Sequence, residues 1–183
     1  MTPPQRVDGR RLRGERRRAA IIAATLAVVE RDGVAGVSHR TVAWEAGVPA
    51  SSAVYYFATL DDLLVAALSA AAQEYAAQFA ALRASGRAPL DAVAELIADS
   101  AGPGRRRAVA ERELTLLAAR RPALRPLARR WTELVADAAR THTDDPVAVA
   151  NVVATADGIC TAALLDPRSA EEIRAVLAHA LRE

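Results

Sequence analysis

The sequence contains no lysine, and all 24 of its basic residues are arginine. Cysteine occurs once, at Cys160, which excludes an intrachain disulfide and a metal site built from several cysteines. Aromatic residues make up 4% of the chain, and much of its apolar 52% is alanine. Because alanine favours helices whereas strands favour branched and aromatic side chains, this composition predicts an all-α protein.

Positive charge is concentrated near the amino terminus. Residues 1–18 carry a net charge of +5, whereas the rest of the chain carries −3. This asymmetry is typical of a nucleic-acid-facing arm on an acidic body. For Arg16, Arg17 and Arg18 the alternatives are a phosphate-binding role and a solvated run of charge. We expect residues 1–9 to be disordered.

No segment has the pattern of a membrane anchor. The first 18 residues lack the apolar stretch of a signal peptide. The most apolar window, residues 147–165, is interrupted by Asn151 and Asp157, and a charge near the centre of a bilayer is costly. We therefore expect this window to be a buried helix of a cytoplasmic protein that has no membrane partner.

The stretch with the most functional information lies at residues 38–57. A short helix with an apolar stripe opens at Ser38, a suitable N-cap, and ends at Gly47, where a left-handed backbone is needed. Pro49 then leads into a second short helix at about residues 50–56. Two short helices across a tight turn indicate a helix-turn-helix, whose second helix fits the major groove of DNA.

Positions within this corner and on both sides of it form one recognisable sequence pattern. They are Ile22, Ala23, Ala24, Gly33, Ser38, Val42, Ala43, Ala46, Gly47, Val48, Tyr55, Tyr56, Phe57, Thr59, Leu63 and Leu64. The arrangement covers about residues 10–66 and resembles the DNA-binding domain of the TetR (tetracycline-repressor-like) family of bacterial transcriptional regulators. Pro49, Val54 and Leu60 stand where many members have serine, tyrosine and lysine, which indicates an altered set of phosphate contacts.

The resemblance implies a homodimer that binds a double-stranded, pseudo-palindromic DNA operator and represses transcription until an unidentified small-molecule effector releases it. No cofactor is implied. The implied DNA-binding residues are Arg16, Arg17, Arg18, Ser38, His39, Arg40, Ala50, Ser51, Ser52, Tyr55, Tyr56 and Thr59. For His39 a simple surface role is equally open. We expect one tyrosine of the pair to pack inwards, Tyr56 to be the more exposed, and Trp44 to cover an edge of the domain.

The predicted fold is all-α, with a three-helix helix-turn-helix DNA-binding domain at residues 10–58 after the disordered arm at 1–9. A six-helix ligand-binding and dimerisation domain follows at residues 59–183. Two helix starts in this second domain have clear capping signals. These are Thr59 with Asp62, and Ser169 with Glu172.

A ligand pocket is expected between the fourth and seventh helices. The candidates, taken from stripe position, are Tyr75, Phe79, Leu96, Glu113, Leu117, Trp131 and Asp157. Glu113 projects from an apolar stripe, and a buried carboxylate needs a partner or loses its charge. It either contacts the effector or, as the favoured alternative, forms an internal ion pair with Arg129 or Arg130. Trp131 is favoured as a core residue, with a pocket wall as the alternative.

The last two helices are implied by the resemblance to pair with their copies in a partner subunit. Small residues at four-residue spacing permit a close approach of two helices. The dimer-interface candidates are Ala154, Gly158, Ala162, Ile173, Val176 and Leu177. On the last helix, Ile173, Val176, Leu177 and Leu181 are also expected to face inward.

An enzyme and a purely structural helical module are the competing classes. The sequence contains no nucleophile–base pair, metal-ligand spacing or glycine-rich phosphate loop, so no catalytic residue and no metal site is predicted. A structural module would need neither the arginine-rich arm nor the Tyr55–Tyr56 pair.

Overall fold

The computed structural model describes residues 9–182, and this part of the chain is helical throughout with no strand. The all-α prediction is therefore confirmed. Two compact units are present, one ending at Ala67 and one beginning at Leu68. The predicted disordered arm lies outside the described residues except for Gly9, where the first helix already begins.

The first unit contains three helices and the first turns of a fourth: α1 (Gly9–Asp32), α2 (His39–Glu45), α3 (Ala50–Tyr56) and the start of α4 (Leu60–Ala84). The second unit contains the remainder of α4 and five further helices: α5 (Pro89–Asp99), α6 (Arg105–Arg120), α7 (Arg125–Arg140), α8 (Pro146–Ala163) and α9 (Ala170–Ala180). Short 3-10 turns lie at Val34–Gly36 and Pro122–Leu124.

Local sequence signals explain the corner between α2 and α3. The Ser38 hydroxyl accepts a hydrogen bond from the Thr41 amide at 3.0 Å, and the Thr41 hydroxyl accepts from the Ser38 amide at 2.9 Å, which closes a capping box. Gly47 has a φ of 64°, the left-handed conformation that favours glycine after a helix. Inward-facing Val42 and Ala53 then hold α2 and α3 in the core of the unit.

The core of the second unit is formed where α5, α7, α8 and α9 pack together. Its fully buried aliphatic side chains include Val93, Leu96, Ile97, Val135, Val152, Ile173 and Leu177. The predicted capping box of α9 is present, because the Glu172 amide donates to the Ser169 hydroxyl at 3.2 Å. The backbone and hydroxyl of Ser169 donate back to the Glu172 carboxylate, and these hydrogen bonds lower the pKa of Glu172.

Two sequence predictions are corrected by the packing. Ile173 and Leu177 were expected to face a partner subunit, but both lie fully buried inside the protomer because α9 packs extensively against α5. Trp44 was expected to cover an edge of its domain, but its side chain is 78% exposed.

Apart from α3 and α4, which only together are long and apolar enough and are bent by 78° at the break between them, α8 is the one described helix that could cross a membrane by length and composition. One third of its residues are buried within the protomer. A single helix of this kind is weak evidence for a membrane span, since a core helix has the same composition.

Replacement of Leu177 with alanine should lower the free energy of unfolding by about 2–5 kcal/mol, because the change opens a cavity in the core of the second unit. Leu116→Ala provides a matched control, since Leu116 is 62% exposed on α6 and should lose less than about 0.5 kcal/mol. Urea denaturation followed by circular dichroism measures both changes. Equal losses for the two variants would contradict the assignment of Leu177 to the core.

Candidate nucleic-acid interface and ligand cavity

The exposed surface of α3 carries small side chains and Val54, followed by two tyrosines at its end. Ala50 and Ser51 are exposed, and Ser52 is half-buried. The Tyr55 and Tyr56 rings lie edge to face with their centroids 5.1 Å apart. Small hydroxyl side chains and tyrosine hydroxyls suit contacts with base edges and phosphates.

The solvent exposure of the two tyrosines is the reverse of the prediction. Tyr55 is 82% exposed, whereas Tyr56 is half-buried beside Gly14 of α1, where an added Cβ would lie 3.4 Å from the Tyr56 hydroxyl. The helical phase explains the difference, because Tyr56 follows the fully buried Ala53 by three residues and so faces the same side of α3. Tyr55 is the tyrosine whose hydroxyl is free to reach outwards.

The arginines of α1 do not form one uniform group. The Arg18 guanidinium lies over the Phe57 ring, 5.0 Å from its centroid, in cation–π geometry that connects α1 with the end of α3. Arg16, Arg17 and Arg18 are all exposed, and among the described residues neither Arg16 nor Arg17 has such a ring contact. On this geometry Arg18 has a packing role, while Arg16 and Arg17 are the more available to an external phosphate.

Three other candidates make hydrogen bonds within the first unit. Ser38 caps α2, and the Thr59 hydroxyl donates to the Asp62 carboxylate at 2.8 Å at the start of α4. His39 Nε2 lies 2.7 Å from the Phe57 carbonyl oxygen. Because a carbonyl oxygen only accepts, the imidazole donates, and His39 connects the first turn of α2 with the residue that ends α3. Arg40, the next residue, is exposed.

Replacement of His39 with alanine should destabilise the corner by about 1 kcal/mol, because it removes a partly buried hydrogen bond to the backbone. Arg40→Ala is the matched control on the same turn. Amide hydrogen exchange in α2 and α3 of the full chain measures the effect. Unchanged protection in the His39 variant would show that this hydrogen bond does not hold the corner.

The second unit contains a cavity of about 480 Å³, within the size range of small-molecule sites. From α4 it is lined by Leu68, Ala71, Ala72, Gln73, Tyr75, Ala76 and Phe79, and from α7 by Leu127, Arg130, Trp131, Glu133, Leu134 and Asp137. Glu111 of α6 completes the lining. The cavity lies between α4 and α7, and three predicted candidates, Tyr75, Phe79 and Trp131, are on its wall.

Aromatic side chains dominate one side of this cavity. The Tyr75 and Trp131 rings are 5.2 Å apart between centroids, and the Arg107 guanidinium lies 5.0 Å from the centroid of Tyr75. Burial raises the pKa of Tyr75 above its usual value, so the phenol stays neutral. Trp131 belongs both to the core and to the cavity wall, and its buried Nε1–H has no acceptor among the residues that the structure describes.

The remaining pocket candidates do not line this cavity. Leu96 is fully buried in the core, and the partly buried Glu113 and Leu117 lie elsewhere on α6. The carboxylate on the cavity wall is Glu111 instead. Leu116, which follows Glu113 by three residues, is exposed, so the apolar neighbours of Glu113 do not all lie on the packed face of α6. A buried glutamate beside an arginine gives no pattern in the sequence by which it can be distinguished from a surface pair.

Glu111 belongs to a partly buried ionic cluster with Arg112 and Asp157. Glu111 is 6% exposed, and Arg112 donates to its Oε2 from Nε at 3.0 Å and also from Nη2. Arg112 Nη1 donates to Asp157 Oδ1 at 2.5 Å and to the Thr161 hydroxyl at 3.2 Å. Asp157, a pocket candidate that does not line the main cavity, therefore has an internal ion pair with Arg112.

Burial and charge act in opposite directions within this cluster. Burial raises the pKa of Glu111, and the charge of Arg112 offsets only part of that rise. Burial alone would lower the pKa of Arg112, but Glu111 and Asp157 outweigh it, so the pKa of Arg112 is raised. Burial also raises the pKa of the nearby Cys160 to about 11, so this thiol is neutral and unreactive at physiological pH.

The small residues predicted for a dimer interface lie on the exposed side of α8. Ala154, Gly158 and Ala162 are all exposed, together with Val147 and Leu165 nearer the ends. Val176 of α9 is also partly exposed. This apolar face is uncovered in the protomer. Within residues 9–182, no group of three or more histidine, cysteine, aspartate or glutamate side chains is arranged to hold a metal ion.

Comparison with known proteins identifies the family. The family model described as "Tetracyclin repressor-like, C-terminal domain" matches residues 84–183. The chain belongs to the TetR family. Its first unit is the DNA-binding helix-turn-helix of a TetR-family transcriptional regulator, as the resemblance implied, and its second unit is the family's helical carboxy-terminal domain.

Solved TetR-family structures resemble nearly the whole chain. A member from Streptomyces coelicolor A3 is 43% identical with a TM-score of 0.77, and the match covers 90% of this chain and 97% of that one. The multidrug binding protein EbrR complexed with ethidium is 43% identical with a TM-score of 0.71, over 90% of this chain and 97% of that one. EbrR complexed with malachite green is 41% identical with a TM-score of 0.72, over 89% and 96%. No curated protein matches the chain.

Proposed function

We propose that this TetR-family regulator is a homodimeric repressor in the cytoplasm, which leaves a pseudo-palindromic DNA operator when an aromatic small molecule fills the cavity. The continuity of α4 is the observation that carries this proposal. The helix begins four residues after α3 ends and continues unbroken from Leu60 to Ala84. Seven of its side chains line the cavity. One continuous helix thus begins in the helix-turn-helix unit and forms a wall of the ligand site.

The DNA contacts are proposed on the exposed side chains of the first unit. Arg16, Arg17 and Arg40 supply positive charge, while Ala50 and Ser51 with Tyr55 supply the surface of α3. Phosphate contacts hold the protein in register, and the small side chains allow a close approach to base edges. Ser38, His39 and Thr59 are proposed to act indirectly, by holding α2, α3 and α4 in place.

The uncovered face of α8 supports dimerisation. Exposed apolar faces of this kind commonly mark protein interfaces, and the alanines and glycine permit close helix contact. A two-fold dimer presents two recognition helices to successive turns of the major groove, about 34 Å apart. A half-site pair with that spacing is therefore the expected operator.

The composition of the cavity wall favours an aromatic cation as the effector. Tyr75, Phe79 and Trp131 offer aromatic surfaces, and the acids Glu111, Glu133 and Asp137 outnumber the one lining arginine. Aromatic faces attract cations, and this attraction strengthens when water is excluded. EbrR, which is 41–43% identical to this chain, has been solved with the aromatic cations ethidium, proflavin and malachite green, and also with imidazole.

Release follows if the ligand prefers a different position of α4. A ligand shifts an equilibrium only as far as its affinities for the two conformations differ. Filling the cavity between α4 and α7 would move α4, and with it the spacing of the two recognition helices in the dimer. A changed spacing leaves only one half-site engaged, so affinity for the operator falls.

The double variant Arg16→Ala, Arg17→Ala should bind all DNA sequences more weakly. An arginine that neutralises a phosphate releases counterions from the DNA, and this favourable contribution to binding is lost in the variant. The slope of log K against log salt should become shallower by about 0.9 for each phosphate that is no longer neutralised. Fluorescence anisotropy with labelled duplexes over a salt series measures this slope. Arg120→Ala, Arg129→Ala in the second unit is the control. An unchanged slope in the first variant would remove these arginines from the interface.

Selection of the random DNA fragments that the purified protein binds gives the operator sequence. Addition of proflavin then tests whether the protein is released from that operator. The wild type should bind the operator as a dimer and dissociate when proflavin is added. Ala76→Trp, which fills the cavity mouth, should keep operator binding and lose the response, whereas Ala77→Trp, one residue further along α4, should respond normally. Monomeric protein indifferent to all duplexes, or equal responses of the two variants, would contradict the proposed function.

A further inference from the structure

The cavity wall contains a carboxylate that is already paired with an internal cation. Glu111 lines the cavity and is almost fully buried, yet its hydrogen bonds come from Arg112, which does not line the cavity. Arg112 is also bonded to Asp157 and Thr161 of α8. One guanidinium therefore serves two carboxylates on different helices, and the cluster as a whole carries a net charge of −1.

We propose that Arg112 is an exchangeable counter-ion, which a cationic ligand displaces from Glu111 and which Asp157 and Thr161 on α8 then retain. This inference rests on the proposed function only in that the cavity between α4 and α7 binds the ligand. The inference further identifies Glu111 as the residue that recognises the ligand and a positive charge as the property that the ligand must have. It also connects the cavity with α8.

The charge balance supports an exchange rather than simple addition. Two carboxylates share one guanidinium, and the buried Glu111 has the greater need of a counter-charge, because Asp157 is partly exposed to water whereas an unbalanced charge at Glu111 is unfavourable. A ligand with a single positive charge completes the balance when it pairs with Glu111. A neutral ligand of the same shape fills the same apolar space but leaves the cluster as it was.

The geometry provides a position for the displaced guanidinium. Arg112 Nη1 already contacts Asp157 and Thr161, while Nε and Nη2 contact Glu111, so the two sets of bonds use different nitrogen atoms. The Asp157 side chain is 46% exposed and can accept a second hydrogen bond from Arg112. Breaking the bonds to Glu111 therefore leaves Arg112 anchored to α8 rather than unpaired.

The exchange would affect the face of α8 that is proposed for dimerisation. Asp157 lies on α8 between Ala154 and Gly158 of the exposed small-residue face, and it borders a groove that also includes Ala154. Tighter pairing of Arg112 with Asp157 pulls α6 and α8 together on that side. The charge of the ligand therefore affects the position of α8 independently of any movement of α4.

Isothermal titration calorimetry on the purified full chain, without DNA, tests the exchange with two matched dyes. Proflavin is cationic at neutral pH, whereas acridine has the same ring system without the amino groups and is mostly uncharged. The wild type should bind proflavin about tenfold or more tightly than acridine, the difference expected for a hydrogen bond to a charged group. Equal affinities would overturn the proposal without any variant.

Glu111→Gln should reduce proflavin affinity about tenfold or more and leave acridine affinity within about twofold. Glu74→Gln, which neutralises an exposed acid of α4 that does not line the cavity, should change both affinities little. Retained acridine binding shows that the variant is folded. Unchanged proflavin affinity in Glu111→Gln would show that Glu111 is not the recognition residue.

Asp157→Asn separates exchange from direct recognition, because Asp157 does not line the main cavity. Loss of its charge should weaken proflavin binding severalfold, since the displaced Arg112 has no carboxylate to hold it, and should leave acridine binding unchanged. Asp91→Asn, which removes the ion pair with Arg174, is the control. Equal effects of Asp157→Asn on both dyes, or no effect on either, would overturn the exchange. Operator binding and its release are measured separately, so this result leaves the proposed repressor function standing.

Discussion

The backbone of α4 is the constraint on which the rest of the structure depends. Its 25 residues contain neither glycine nor proline, and alanine fills many of the positions between Leu63 and Phe79. Such a sequence keeps the helix unbroken, because every interior amide can complete its helical hydrogen bond and no residue favours a kink. The same helix packs Leu63 into the first unit and presents Tyr75 to the cavity of the second.

The cavity is an apolar site whose electrostatics are set by residues just behind its wall. The aromatic rings supply surface for any flat hydrophobic molecule, so shape alone discriminates weakly between ligands. The buried Glu111 adds a preference for a positively charged ligand, and Arg112 determines how strongly Glu111 attracts that ligand. A buried ion pair stabilises a fold only weakly, because desolvation offsets most of the attraction. The cluster is therefore better explained by recognition than by stability.

Much of the first unit could be predicted because its signals are local. The N-cap at Ser38, the left-handed Gly47 and the inward Ala53 each act within a few residues of the chain, so a short stretch of sequence is enough to indicate them. The order of exposure of Tyr55 and Tyr56 was missed. Tyr56 lies on the same side of α3 as the buried Ala53, and the partner that covers it is α1 at Gly14, more than forty positions earlier in the chain.

The amino-acid sequence by itself determined the helical class, the corner that binds DNA, the family and the presence of a cavity between α4 and α7. The helical class and the corner follow from helix propensity, apolar spacing and capping, which are properties of neighbouring residues. The family and the position of the cavity were expected from the resemblance. Only the tertiary structure decided that Glu111 rather than Glu113 faces the cavity and that Arg112 reaches Asp157 across 45 residues. A helix with several apolar and charged faces has no unique inward side until its neighbours are in place.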